Sequence, residues 1–176
     1  MKHLFLSGDI KVGKSTIIDY LIRNLKINKE QLGGFYTNAY VENNKVKGFY
    51  IEPVNYDLEI PEIQERLIGF TPDGQRWLGV KSTFNNFGTQ ILDSCMKNQY
   101  RLIVMDELGF FENDAVCFQN KVHEVLSGNN RVIGCIKPVS TPFMDSIRKR
   151  KDVTEVRITK SNRDTIHLIL AEKFEL

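Results

Sequence analysis

Residues 2–16 read KHLFLSGDIKVGKST. Leu4, Phe5 and Leu6 form a short apolar run, Gly8 to Ser15 spell G-x-x-x-x-G-K-S, and Ile17, Ile18, Leu21 and Ile22 follow at helical spacing. A strand, a glycine-bounded loop and a helix in that order form the context in which this pattern cradles phosphate. Backbone N–H groups turned inward make an anion nest, and the positive end of the following helix adds to it. Gly8, Asp9, Ile10, Lys11, Val12, Gly13, Lys14, Ser15 and Thr16 are therefore the expected nucleotide-binding residues. Lys14 is expected to reach the β and γ phosphates as a catalytic cation, and the Ser15 hydroxyl is placed to ligate Mg²⁺. The competing reading is a glycine-rich turn capped by Ser15, and the flanking strand and helix count against it.

The bulk properties fit one well-buried core. A chain of 176 residues is short for two domains, and 41% hydrophobic with 26% charged residues is ordinary for a globular protein. A single domain over residues 1–176 is expected. With 24 basic and 22 acidic residues the net charge is +2, which gives no clear nucleic-acid signal and no membrane signal. Arg148 to Lys151 make the one basic run, expected to face water at the end of a helix. Cys95, Cys117 and Cys135 lack C-x-x-C spacing and are expected to be buried and reduced; His3, His123 and His167 match no metal-ligand pattern. The N-terminal apolar run is short for a signal-peptide core, and nothing approaches the roughly 20 apolar residues of a membrane span, so a cytoplasmic location is expected.

Helix is expected over about 14–25. The segment GGFYTNAYVE, the Asn43-Asn44 turn signal and VKGFYIEPV predict a β-hairpin pairing 35–42 with 46–53. Residues 56–80, broken by prolines and glycines, read as loops with room for an added strand. Phe84, Phe87, Ile91, Leu92, Cys95 and Met96 mark one face of a helix. The run from Leu102 to Met105 reads as a buried parallel strand ending in Asp106 and Glu107. Helix over 113–126, strand over 131–136, helix over 141–150, strand over 153–158 and helix over 163–174 complete the pattern. Alternating strands and helices define a three-layer α/β fold with a mostly parallel central sheet and a peripheral hairpin.

Ligands of such sheets sit at the carboxyl ends of the strands, which carries Asp106 and Glu107 to the edge that holds the glycine loop. Asp106 is expected to hold Mg²⁺ with Ser15, and Glu107 to orient or deprotonate a water for attack on the γ phosphate. A surface turn or helix cap is the alternative for the acid pair taken alone. Lys137 follows a strand and either points at the site or sits as an exposed loop lysine, the default expectation. Arg148 and Arg76 are weaker candidates. Glu112 is either an acid behind the site or a helix-start residue. Arg163 is expected to stack on the nucleotide base, with a capping turn around Asn162 and Asp164 as the alternative.

These residues together resemble the P-loop nucleoside-triphosphatases of the cancer-related type. The resemblance rests on the loop with Lys14 and Ser15, on GGFYT from Gly33 to Thr37 followed by Gly48-Phe49, on DELGFFE from Asp106 to Glu112, and on Asn162 to Asp164. It implies a RecA-like or kinase-like P-loop fold and Mg²⁺-dependent hydrolysis of ATP, GTP and other nucleoside triphosphates. Lys11 stands where that family commonly has glycine, and Lys137-Pro138 lies outside its pattern. A small-molecule kinase using the hairpin and residues 56–80 for an acceptor is the first alternative, and a nucleotide-binding regulatory module the second.

Overall fold

Leu4 and Leu6 turn to one side of the first strand and Phe5 to the other, and all three are fully buried in the computed structural model, which describes residues 1–57, 59–98 and 100–174. A strand buried on both faces requires helices above and below it. The elements in chain order are β1 (His3–Ser7), α1 (Lys14–Asn24), β2 (Leu32–Glu42), β3 (Lys45–Pro53), β4 (Leu67–Phe70), β5 (Leu78–Gly79) and α2 (Lys81–Thr83). A π-helical turn over Phe84–Gly88 leads into α3 (Thr89–Lys97), then β6 (Leu102–Leu108), α4 (Val116–Ser127), β7 (Arg131–Ile136), α5 (Pro142–Arg148), β8 (Val153–Arg157) and α6 (Arg163–Lys173).

The strands form one eight-stranded sheet in the order β5-β4-β3-β2-β6-β7-β1-β8. The run from β2 through β8 is parallel throughout, and β3, β4 and β5 extend it antiparallel. Leu4, Leu6, Leu102, Val104, Ile133 and Cys135 face α1 and α6. Phe5, Ile103, Met105 and Val132 face the layer of α3, α4 and α5. Alternate residues of each central strand thus feed opposite cores, as period-two geometry demands.

Several expectations need correction. The hairpin is not peripheral, because β2 pairs in parallel with β6 from Leu32↔Leu102 to Tyr36↔Asp106; only its second strand belongs to the antiparallel extension. Residues 56–80 hold two short strands, β4 and β5. Helix α4 begins at Val116, with Ala115 at its N-cap, so Glu112 does not start a helix. Cys95 and Cys135 are buried, but Cys117 is exposed on α4. Met96 is 39% exposed and lies off the buried face of α3. The basic run is no uniform solvated patch: Arg150 pairs with Asp152 and donates to the Leu126 carbonyl, and Arg148 is engaged as described below. Among the described residues no helix is long and apolar enough to cross a membrane.

Candidate active site

The loop between β1 and α1 is held by close backbone approach. At Gly8 (φ 139°) an added β-carbon would lie 2.3 Å from the Ile158 carbonyl oxygen, a distance only glycine avoids. Gly13 stands left-handed (φ 112°) at the N-cap of α1. Lys11 also adopts positive φ, 60°, so the position where glycine was expected keeps the glycine-like conformation with a lysine. Lys14 is 8% exposed, and its ammonium donates to the carbonyls of Gly8 and Asp9, both at 3.0 Å.

At the same edge, β6 delivers its two acids. The ladder between β6 and β7 breaks between Met105 and Leu108, the stretch carrying Asp106 and Glu107, and such irregularities re-aim side chains. Glu107 lies with its carboxylate 3.9 Å from the Lys14 ammonium and 2.6 Å from that of Lys137. Its backbone N–H donates to the Thr37 hydroxyl on β2 at 3.1 Å. Asp106 has its carboxyl raised above the ordinary carboxylate range, first by burial; the hydrogen bond from the Cys135 thiol opposes this and the neighbouring Glu107 adds to it.

Lys137 is therefore not the exposed loop lysine of the default expectation. Gly109 makes room for its stem, since a β-carbon there would stand 2.9 Å from Lys137 Cδ, and its ammonium lies 5.6 Å from the centre of the Phe110 ring. Arg148 holds the segment that carries it. The Arg148 guanidinium donates to the carbonyls of Lys137 (2.7 Å) and Val139 (2.9 Å) and pairs with Glu155 (2.8 Å) and Asp145 (3.1 Å). Because one planar fork serves four acceptors, neither alanine nor lysine can replace it. Arg148→Ala and Arg148→Lys are both expected to lower kcat by about tenfold or more through misplacement of Lys137, with a smaller change in KM; steady-state kinetics with an unchanged kcat in either variant would refute this.

Glu112 is buried (2% exposed) and accepts from the Gly109 N–H. Burial pushes its carboxyl from 4.5 up to about 7, with the Gly109 hydrogen bond opposing. A carboxyl raised in the folded state binds its proton more tightly there than when unfolded. Stability is therefore highest below the ordinary value, falls as pH rises through the window from 4.5 to about 7, and levels off above it, by about 3 kcal/mol in all. Glu112→Gln is expected to remove this slope, so thermal unfolding curves of the two proteins that stay parallel across that window would rule it out.

A cavity of about 400 Å³ unites these groups, with Ile10, Lys11, Gly13, Lys14, Ser15 and Thr16 on one wall and Thr37, Asp106, Glu107, Gly109, Glu112 and Lys137 on the other. Gly8 and Asp9 contribute carbonyls to Lys14, and Val12 packs beneath the loop at 5% exposure. Arg163 lies elsewhere, exposed and 3.5 Å from Asp164, in a second cavity of about 380 Å³ with Val12, Gly13, Thr16, Tyr20 and His167. Asn162 binds the Thr159 N–H and the Arg157 carbonyl and thus closes the turn before α6. Arg76 is exposed and stands outside both cavities. Thr37, Phe49, Ile68 and Phe111 also line the first cavity; Thr37, Phe49 and Phe111 carry a signal in the sequence, as parts of the GGFYT, Gly48-Phe49 and DELGFFE segments, and Ile68 carries none.

A glycine-bounded loop, a buried lysine and two strand-end carboxylates meet in one cavity of an α/β protein, an arrangement suited to phosphate chemistry. The chain belongs to the NTPase family, whose model matches residues 3–171. It is 29% identical to the nucleoside-triphosphatase THEP1 of Thermotoga petrophila over 164 residues, 93% of this chain and 87% of that protein. It is also 29% identical to the human cancer-related nucleoside-triphosphatase, covering 96% of this chain and 93% of the relative. The crystal structure of THEP1 from Aquifex aeolicus superposes with a TM-score of 0.72 at 21% identity, covering 99% of each chain. The solution structure of the human cancer-related nucleoside triphosphatase gives 0.70 at 24%, over 98% of this chain and 97% of that one. At these identities the two structures speak for the fold.

Proposed function

We propose that this protein is a single-domain P-loop enzyme that hydrolyses nucleoside triphosphates to the diphosphate and phosphate with Mg²⁺. The observation that carries the reading is the meeting of Lys14, Glu107 and Lys137 in one cavity, with Glu107 between the two ammonium groups. One strand, β7, separates the loop-bearing β1 from the acid-bearing β6, which favours the RecA-like over the kinase-like arrangement. The names of the relatives agree with the activity.

The loop N–H groups and Lys14 hold the phosphate chain, the ammonium leaving the Gly8 and Asp9 carbonyls for phosphate oxygens. Ser15 and Asp106 fit a magnesium ion: both line the cavity and offer hard oxygen donors, and a cation would relieve the burial that raises the Asp106 carboxyl. Bound there, Mg²⁺ supplies charge neutralisation on the phosphates. Glu107 orients a water and accepts its proton as the water oxygen bonds the γ-phosphorus and the bridging P–O bond breaks. Lys137 neutralises charge on the transferring group and fixes the Glu107 carboxylate. Arg163 stacks on the base in the second cavity. The free thiols and a nucleoside-triphosphate substrate suit a cytoplasmic setting.

The test is phosphate release from a panel of ribo- and deoxyribonucleoside triphosphates, with and without Mg²⁺. Release that requires Mg²⁺ and tolerates several bases is expected; no release from any member of the panel would overturn the reading.

A further inference from the structure

The two cavities meet at Gly13 and Thr16, which line both. The smaller one runs between α1 and α6 beside Arg163, where the Tyr20 and His167 rings stand edge to face at 4.5 Å. The larger one is lined by the Lys14–Glu107–Lys137 cluster and also by Phe49, Ile68 and Phe111. A nucleoside in the smaller cavity leaves this apolar end of the larger one unused, and attack by water calls for no wall of rings.

The wall is built with some care for space. A β-carbon at Gly69 would stand 2.6 Å from the Phe111 ring, and one at Gly79 would stand 2.7 Å from the Phe111 carbonyl oxygen. Two strands of the antiparallel extension are thus pared to the backbone where Phe111 seats. Phe49 on β3 lies 6.1 Å from Phe111, and Trp77 lies 5.1 Å from Phe49 and 6.2 Å from Phe111. The charged residues lining the cavity are Lys11, Lys14, Lys137, Asp106, Glu107 and Glu112; the side chains of Phe49, Ile68 and Phe111 add no charge or hydrogen-bonding group.

We propose that the apolar end is an acceptor subsite: a small uncharged aromatic or heteroaromatic alcohol stacks on Phe49 and Phe111 and receives the γ-phosphoryl group on its hydroxyl. This rests on the nucleoside-triphosphate reading above. The hydroxyl oxygen bonds the γ-phosphorus, the bond from phosphorus to the β–γ bridging oxygen breaks, the diphosphate leaves with that electron pair, and the hydroxyl proton passes to the Glu107 carboxylate. Water standing in the same place gives hydrolysis, so the two reactions share one base and one phosphate cradle and differ in the nucleophile.

Trp77 is the only tryptophan of the chain and packs on both rings of the wall, so its emission reports occupancy without reference to turnover. With ADP and Mg²⁺ present, pyridinemethanol, hydroxybenzyl alcohol, uridine and guanosine are titrated separately against Trp77 emission. Each is then incubated with ATP labelled at the γ phosphate. Saturable quenching by at least one probe, label recovered in its phosphate ester, and half-saturation raised about tenfold in Phe49→Leu are expected, since that change keeps apolar volume and loses one ring contact. Label found only in inorganic phosphate with Trp77 unresponsive to all four probes overturns the acceptor subsite and leaves hydrolysis standing. Ester formed without any inorganic phosphate supports the subsite and overturns the hydrolytic reading. Full quenching by ADP alone shows the base on the ring wall and overturns the proposal.

Discussion

Glu107→Gln is expected to lower kcat by about 10²–10⁴-fold while nucleotide binding stays within a few-fold of the native protein. The substitution keeps the size of the side chain and its reach toward Lys137, but an amide cannot take a proton from water. It also removes a negative charge from a cavity that must receive phosphates. Glu107 is the acid caught between two cations, 2.6 Å from Lys137 and 3.9 Å from Lys14, so its loss frees both ammonium groups for phosphate oxygens and favours binding. The effect should fall on kcat and spare KM, the pattern of an interaction made in the transition state. Single-turnover phosphate release beside a fluorescent-nucleotide titration separates the two quantities. Turnover near the native rate would remove Glu107 from the base role and direct attention to Asp106.

How much of this was legible in the sequence depended on how local each feature is. The β1–loop–α1 unit lies within one stretch, and its glycines, apolar run and helical spacing each point to the same local structure. The β2–β3 turn was legible for a similar reason: Asn43 and Asn44 adopt φ of 50° and 60°, the conformation that two-residue hairpin turns require and asparagine tolerates. That β2 also belongs to the parallel core was not legible, because its partner β6 lies some seventy residues along the chain and pairing leaves no mark on the period-two pattern. The two-residue β5 is below what any pattern resolves.

The site divides in the same way. Asp106 and Glu107 were readable as acids closing a buried apolar run, and sheet geometry alone carries that position to the ligand edge. Lys137 was not, because where a long side chain points is decided by what surrounds it: here Gly109, which leaves room for its stem, and Arg148, which holds its carbonyl. Phe49 lies in the expected hairpin and Phe111 in the DELGFFE segment, and only their convergence from β3 and from the segment after β6 makes them one wall of the cavity.

Lys14→Ala is expected to reduce both binding and turnover, in contrast to Glu107→Gln, with kcat/KM falling by about 10²–10³-fold or more, the size of effect that follows removal of one group aimed at developing charge. Lys14 is 8% exposed and its ammonium is bonded to two loop carbonyls. It is thus largely desolvated before nucleotide arrives, and the only bonds it exchanges for phosphate oxygens are those to the two loop carbonyls. Taking it away removes charge from the ground-state complex and the transition state alike, so both KM and kcat should suffer. Lys14→Arg should not restore activity, because a planar guanidinium cannot occupy a position shaped for a point charge between the Gly8 and Asp9 carbonyls. The proteins can be compared by nucleotide titration and by phosphate release. An alanine variant that binds nucleotide normally and loses only kcat would place the loop's backbone N–H groups, and not Lys14, as the main source of affinity, and would confine the lysine to the transferring phosphoryl group.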